Sequence, residues 1–346
     1  MSFGFHRVVA KSILCSKCQH CKYLGPKKLF AYSNPQVCVP VRTVTGESPT
    51  TVTHPLYSRN VIQMEGPDVQ PLLQGLVTND VTLLDSCSAM YTMMLNAQGR
   101  VLYDLILYNV SRESDDTHLL IECDAGVTQE LLTVLKRYKI RRKVDIADVS
   151  DKYRVSSALV SDGHTTHSLP RESQVIFRGE DPRVPGFGWR IITKSAASDE
   201  YQESRVSGEY AYHESRYRWG IAEGMLDLPP GNCFPLESNL EYMNGVCFKK
   251  GCYIGQELTA RTYHTGVTRK HLVPIVFDRV PESLTPGQNI TSDAGKNIGK
   301  FRHSVGIHGL GMIRIAEMQR GMKICSPSGM TYNLTAHIPD WWPKSS

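Results

Sequence analysis

Lys250-Gly251-Cys252-Tyr253-Ile254-Gly255-Gln256-Glu257 is the stretch on which the reading of this chain turns. It lies inside a dense segment, NGVCFKKGCYIGQELTAR, running from Asn244 to Arg261. Gly251 and Gly255 bracket Cys252 and permit a tight turn. From Gln256 onward the residues are mostly good helix formers. Cys252 is therefore expected just ahead of a helix N-terminus, where unpaired backbone N–H groups and the helix dipole favour an anion. Lys249 and Lys250 add positive charge. Both effects stabilise a thiolate, the form that acts as nucleophile or metal ligand. The competing reading is a small buried cysteine whose glycines merely serve a turn, and chemistry alone leaves the two open.

Working outward, the folded part is expected to begin near Pro55. Glu65-Gly66-Pro67-Asp68 reads as a turn into a helix with Leu72, Leu73 and Leu76 on one face. Tyr91 to Leu95, the turn Asn96-Ala97-Gln98-Gly99, and Val101 to Tyr108 read as a β-hairpin. Asp124 is a plausible N-cap for a helix with the apolar stripe Leu131, Val134, Leu135 and Tyr138. Strands resume over 144–149 and 153–160. The stretch 161–207 is polar and rich in Gly, Pro and Ser, so loops and short strands are expected. Residues 209–221 suit a short helix, and Pro229, Pro230 and Pro235 exclude regular structure over 224–235. After Arg269, short strands parted by Pro286-Gly287, Gly295, Gly299, Gly306, Gly309 and Gly311 give the pattern of a small β-barrel or sandwich.

The octapeptide resembles the signature of the YgfZ-like family, relatives of the glycine-cleavage aminomethyltransferase (GcvT). Leu73-Gln74-Gly75-Leu76-Val77-Thr78-Asn79-Asp80 and Leu95-Asn96-Ala97-Gln98-Gly99-Arg100-Val101-Leu102-Tyr103-Asp104 are similar to that family's two N-terminal motifs. Pro235-Leu236-Glu237-Ser238-Asn239-Leu240 is similar to the segment leading into the signature. The resemblance implies an α+β, three-part circular aminomethyltransferase fold: a folate-binding-type region of two subdomains over 55–270, then a C-terminal β-barrel over 271–346. It also implies a mitochondrial-matrix assembly factor for 4Fe–4S proteins such as aconitase and lipoate synthase. Such a factor works late, with A-type iron–sulfur carriers and apo-protein targets. In that reading Cys252 is the working thiol, a cluster ligand shared with the partner, supported by Lys250, Gly251, Tyr253, Gly255, Gln256 and Glu257. No cofactor is resident; tetrahydrofolate is a candidate ligand and an iron–sulfur cluster a transient one. One thiol cannot hold a cluster that usually takes four ligands. The alternative implied by the same kinship is a folate-dependent one-carbon enzyme in which Cys252 is structural.

Composition agrees with a soluble globular chain. Its 346 residues are 41% hydrophobic and 21% charged, enough for two or three domains. No stretch approaches the roughly 20 apolar residues of a membrane span, so no membrane partner is expected. The net charge of +5 is misleading. Arg7, Lys11, Lys17, Lys22, Lys27, Lys28 and Arg42 precede any acid, and removing those seven leaves 32 basic residues against 34 acidic ones. The folded part lacks the positive excess of a nucleic-acid binder. The basic, acid-free segment 1–45 resembles a mitochondrial transit peptide with a disordered lead.

Four of the ten cysteines (Cys15, Cys18, Cys21, Cys38) lie in that segment. The other six (Cys87, Cys123, Cys233, Cys247, Cys252, Cys325) are scattered, as expected of free thiols in a reducing compartment. Cys15, Cys18 and Cys21 mimic a ferredoxin run, but its fourth ligand position is Gly25. Lys136 to Lys143 (KRYKIRRK) is either a solvated helix C-terminus complementing its dipole or an anion site. In the second case Arg141 or Arg142 would meet an acidic partner face or a folate glutamate tail. Dinucleotide, P-loop, zincin and nucleophile-elbow motifs are absent. Asp80 and Asp104 sit in family-like motifs, with no second catalytic group apparent for either.

Overall fold

The computed structural model describes residues 51–111, 117–160, 172–195, 205–318 and 321–344. The expected presequence and its four cysteines lie outside the described residues.

The strands and helices of the first part run in chain order as Thr51–Pro55 (β1), Arg59–Glu65 (β2), Val69–Gln74 (α1), Ala89–Leu95 (β3), Val101–Asn109 (β4), His118–Asp124 (β5), Thr128–Lys139 (α2) and Asp145–Asp148 (β6). A five-stranded antiparallel sheet has the order β3-β4-β5-β2-β6. Strand β4 reads VLYDLILYN and is buried along most of its length, because both faces of the sheet are covered. Tyr103, Leu105 and Leu107 face a core shared with Leu72 and Leu73 of α1 and Leu131 of α2. Ile106 and Tyr108 face the opposite core, with Phe177, Ile192 and Tyr212. Period-two alternation therefore turns Asp104 toward that second, central core.

Tyr153–Val160 (β7), Val175–Glu180 (β8) and Trp189–Lys194 (β9) join β1 in a four-stranded sheet ordered β1-β7-β9-β8. Arg205–Trp219 (α3) and the single turn Gly224–Asp227 (α4) follow, then Gln256–Thr265 (α5). Lys270–Phe277 (β10), Asn289–Ser292 (β11), Asn297–Val305 (β12), His308–Arg314 (β13), Met322–Cys325 (β14) and Thr331–Ala336 (β15) close a barrel ordered β10-β13-β12-β11-β14-β15. Its interior is filled by Val273, Ile275, Phe277, Ile290, Phe301 and Ile313 among others. Closure leaves no unpaired edge.

Four expectations need correction. Residues 224–227 form the helical turn α4 inside the stretch expected to lack regular structure, because the turn ends before Pro229. The first strand opens at Thr51, ahead of Pro55. On α2, Leu132 is buried while Tyr138 is 40% exposed, and Asp124 caps not α2 but a short 3-10 turn ahead of it, accepting from the Gly126 N–H. Cys87 is disulfide-bonded and not a free thiol.

Candidate functional site

The sequence motifs separated by up to 180 positions meet at one place. The backbone N–H of Cys247 donates to the Thr78 carbonyl at 3.1 Å and that of Ile254 to the Gly75 carbonyl at 3.2 Å. The Thr78 hydroxyl donates to the Gly245 carbonyl at 2.7 Å, and the Asn79 amide to the Asn244 carbonyl at 2.7 Å. These bonds stitch the 244–257 loop to the 73–80 motif. The β3–β4 turn closes the third side. Gly255 has φ 79°, and a Cβ there would stand 2.4 Å from the Asn96 carbonyl oxygen and 3.1 Å from Gly99 Cα. Two glycine backbones thus pack directly against each other, which no larger residue permits.

Lys250 departs from its expected role. Its ammonium does not face the thiol; it turns inward and donates to the carbonyls of Val77 at 2.8 Å and Asn79 at 2.6 Å. Burial lowers its pKa to about 8, against the opposing pull of Asp80 and Cys247. Lys250 is a brace that holds the loop to the 73–80 motif. Lys249 stays exposed. Gln256 opens α5 and accepts the Tyr253 N–H through its side chain at 3.3 Å, while Tyr253 is buried and Glu257 exposed.

Cys252 is exposed at the outside of this braced loop. Beside it, Gly251 lacks a positive φ, and a Cβ added there would meet no atom within 4 Å. Neither packing nor backbone conformation demands that glycine, so its effect is open space next to the thiol. The neighbouring thiols are different. Cys233 and Cys247 are buried, as is Cys123; burial pushes the Cys123 thiol up to about 12 and raises that of Cys233. Cys325, on β14, is exposed in the barrel. Among the described residues no group of three or more His, Cys, Asp or Glu could hold a metal ion.

Helix α5, which leads away from the loop, contributes only Thr259 to the buried set. Arg261 and His264 are exposed, and Tyr263 (38% exposed) stacks on Phe248 with ring centroids 3.7 Å apart. A ten-residue helix gains little stability in water without a packed face. This one leaves most of its surface uncovered beside Cys252.

The sequence reading missed a second constellation. Arg59, Asp104 and Glu122 project from β2, β4 and β5 into the central core, where Arg59 binds Asp104 at 3.2 Å and Glu122 at 2.8 Å. Arg183 and Arg190 reach in from the segment that reads as merely polar. Arg183 pairs with Asp181 and Glu223, both at 2.7 Å, and Arg190 pairs with Asp181 at 3.1 Å and with Glu223. The Tyr212 hydroxyl also donates to Glu223 at 2.6 Å. Burial opposes the charge on Glu223, but Arg190, Arg183, Arg59 and Arg216 hold it well below the ordinary carboxylate range. Asp104 is raised by burial, which Arg59 only partly offsets. Asp104 has partners for both oxygens, neither of them a second catalytic group: Arg59 on one and the Gly224 N–H, at 3.1 Å, on the other. The signal in the sequence was a charge on the inward parity of each strand, Asp104 and Glu122 within apolar runs and Arg59 at the start of β2.

Arg141 and Arg142 are exposed on the turn after α2. That turn adjoins the Glu65 end of β2, through the Glu65–Asp145 pairing. Arg59 opens the same seven-residue strand at its other end, roughly 20 Å away. The two arginines therefore stand apart from the buried network.

Comparison with known proteins accords with this arrangement. Residues 58–157 match the GCVT N-terminal domain, and residues 269–344 match the CAF17 C-terminal beta-barrel domain. The chain is 39% identical over 306 residues to the human protein named iron-sulfur cluster assembly factor IBA57, mitochondrial, covering 84% of this chain and 85% of that one. This chain belongs to the IBA57 family. The mouse IBA57 factor is 40% identical over the same shares, and the Mycosarcoma maydis homologue is 34% identical over 82% of this chain and 83% of its own. The aminomethyltransferase T of the Bartonella henselae glycine cleavage system has the same fold, with a TM-score of 0.64 at 16% identity, covering 85% of this chain and 86% of that one. An IBA57-family chain on an aminomethyltransferase scaffold thus has its signature cysteine on the outside and its interior carboxylates locked in ion pairs.

Proposed function

We propose that this chain is a mitochondrial iron–sulfur cluster assembly factor that acts through Cys252. The observation that carries the reading is an exposed cysteine on a loop braced by the 73–80 motif and the β3–β4 turn. The thiol is presented to a partner, and it offers one ligand where a cluster usually needs four. The cluster is cargo, with its remaining ligands supplied by an A-type carrier docked on the loop and α5. Exposed Lys249, Arg261 and Tyr263, with the half-buried Phe248 stacked on Tyr263, supply charge and apolar area for that docking. The products are 4Fe–4S proteins of the matrix, of the aconitase and lipoate synthase type.

The interior supports a non-enzymatic role over one-carbon transfer. A transferase needs a carboxylate free to act on the bound folate, whereas both oxygens of Asp104 are committed. Tetrahydrofolate as a ligand has one point in its favour. Among the described residues, Arg59 Nη2, the Tyr91 hydroxyl and Glu223 Oε1 are buried without hydrogen-bond partners, and those residues would hold its polar heterocycle.

The test is complementation in cells lacking this protein. Wild type should restore mitochondrial aconitase activity and protein lipoylation, and Cys252→Ser at equal abundance should not. Full rescue by the Ser variant would contradict the proposal.

A further inference from the structure

The turn that follows α2 has no part in the function above, yet it carries a concentrated charge. Lys136, Arg137, Lys139, Arg141, Arg142 and Lys143 fall within eight residues. Lys139 is half-buried and the other five are exposed. Asp145 stands 4.0 Å from Lys139, and Asp68 is engaged with the backbone N–H of Lys143. The remaining cations have no carboxylate partner among the described residues.

Ile140 sits in the middle of this cluster, 81% exposed, with φ 47° and ψ −106°. It is an unfavourable residue there on two counts. A β-branched side chain strains the backbone at positive φ, and an isoleucine in water forgoes the stabilisation of burial. Glycine would serve the turn without either cost. Among the described residues nothing compensates for Ile140, whereas a contact outside the molecule would. Tyr138, two residues earlier, is also exposed.

We propose that this turn seats the protein reversibly on an anionic lipid surface. Ile140 enters the boundary between headgroups and acyl chains, and the surrounding lysines and arginines meet lipid phosphates. An apolar tip flanked by cations needs a matched pocket in a protein partner. A bilayer interface accepts any such tip and supplies anions on every side of it. Guanidinium groups also bind phosphate oxygens in pairs. Among the described residues no helix is long and apolar enough to cross a membrane, and surface binding requires none. Because the turn lies at the far end of β2 from Arg59, seating there leaves the buried ion pairs undisturbed.

Sedimentation of the full chain with vesicles tests this. The probes are phosphatidylcholine alone and phosphatidylcholine with added phosphatidylglycerol, at low and high salt. The basic N-terminal segment is common to every variant, so only differences between variants are read. The wild type should sediment with the anionic vesicles alone, and less at high salt. Ile140→Gly keeps every charge and relieves the strained backbone. It should lower vesicle affinity several-fold while leaving thermal stability equal or higher. Arg141→Gln with Arg142→Gln should lower affinity by roughly 30-fold at low salt and flatten its salt dependence. Sedimentation of both variants as well as wild type would overturn the proposal. So would loss of affinity for an A-type carrier, in place of vesicles, in the same variants.

Discussion

Gly251 and Gly255 flank the same cysteine but answer to different constraints. At Gly255 an added methyl group meets the Asn96 carbonyl oxygen and the Leu95 side chain, in a backbone conformation that only glycine adopts freely. Gly255→Ala should therefore destabilise the protein by about 1–3 kcal/mol in denaturant unfolding. Gly251→Ala meets nothing and should stay within about 0.5 kcal/mol of wild type, while slowing any partner that must approach the thiol. Alkylation separates the cysteines in the same way. In the native state Cys252 and Cys325 should react, and Cys123, Cys233 and Cys247 only after unfolding. The sequence showed that a glycine-bracketed cysteine precedes a helix, and the structure retains that picture. It could not tell which glycine is sterically required or that Lys250 turns inward, because both depend on the 73–80 and 95–104 segments, which are remote in sequence.

The elements that the sequence defined well are those with strong periodicity and clear turns: the β3–β4 hairpin, α2 and the barrel strands. The four-stranded sheet was harder to see, since β8 and β9 are short and separated by the Gly- and Pro-containing segment 181–188. Arg183 in that segment and Arg190 on β9 are buried once β8 and β9 pair, which a polar local sequence does not show. One junction between elements has a pH signature. His271 on β10 accompanies the 235–240 motif through a 2.8 Å bond between its Nδ1 and the Asn239 side-chain oxygen, and it stacks on Tyr242. Burial lowers its pKa from 6.5 to about 4, against a bond to the Thr268 backbone that raises it. Between those two values the unfolded chain binds a proton that the native one refuses. Stability should thus be lost as pH falls from about 6.5 to about 4, by roughly 3 kcal/mol in all. Thermal melts of wild type and His271→Gln across this range measure it. The variant should lack that part of the slope, and an unchanged slope would assign the acid sensitivity elsewhere.

On the scale of the whole molecule, the buried ion pairs tie the five-stranded sheet to the β8–β9 segment and to the α3–α4 connection. Removing one member leaves its partners charged and unpaired. Arg59→Met should therefore cost about 3–5 kcal/mol, far more than a substitution at Cys252, and calorimetry would rank the two. Under the proposed function, these buried pairs hold the frame that presents the loop carrying the exposed Cys252. The most direct measurement mixes the protein with an A-type carrier, iron and sulfide, and records visible absorbance and circular dichroism of the complex after gel filtration. Wild type should co-elute with the carrier and a bound iron–sulfur chromophore. Cys252→Ser, with an unchanged melting temperature, should lose that chromophore from the complex. An identical spectrum and elution for the Ser variant would contradict the central claim.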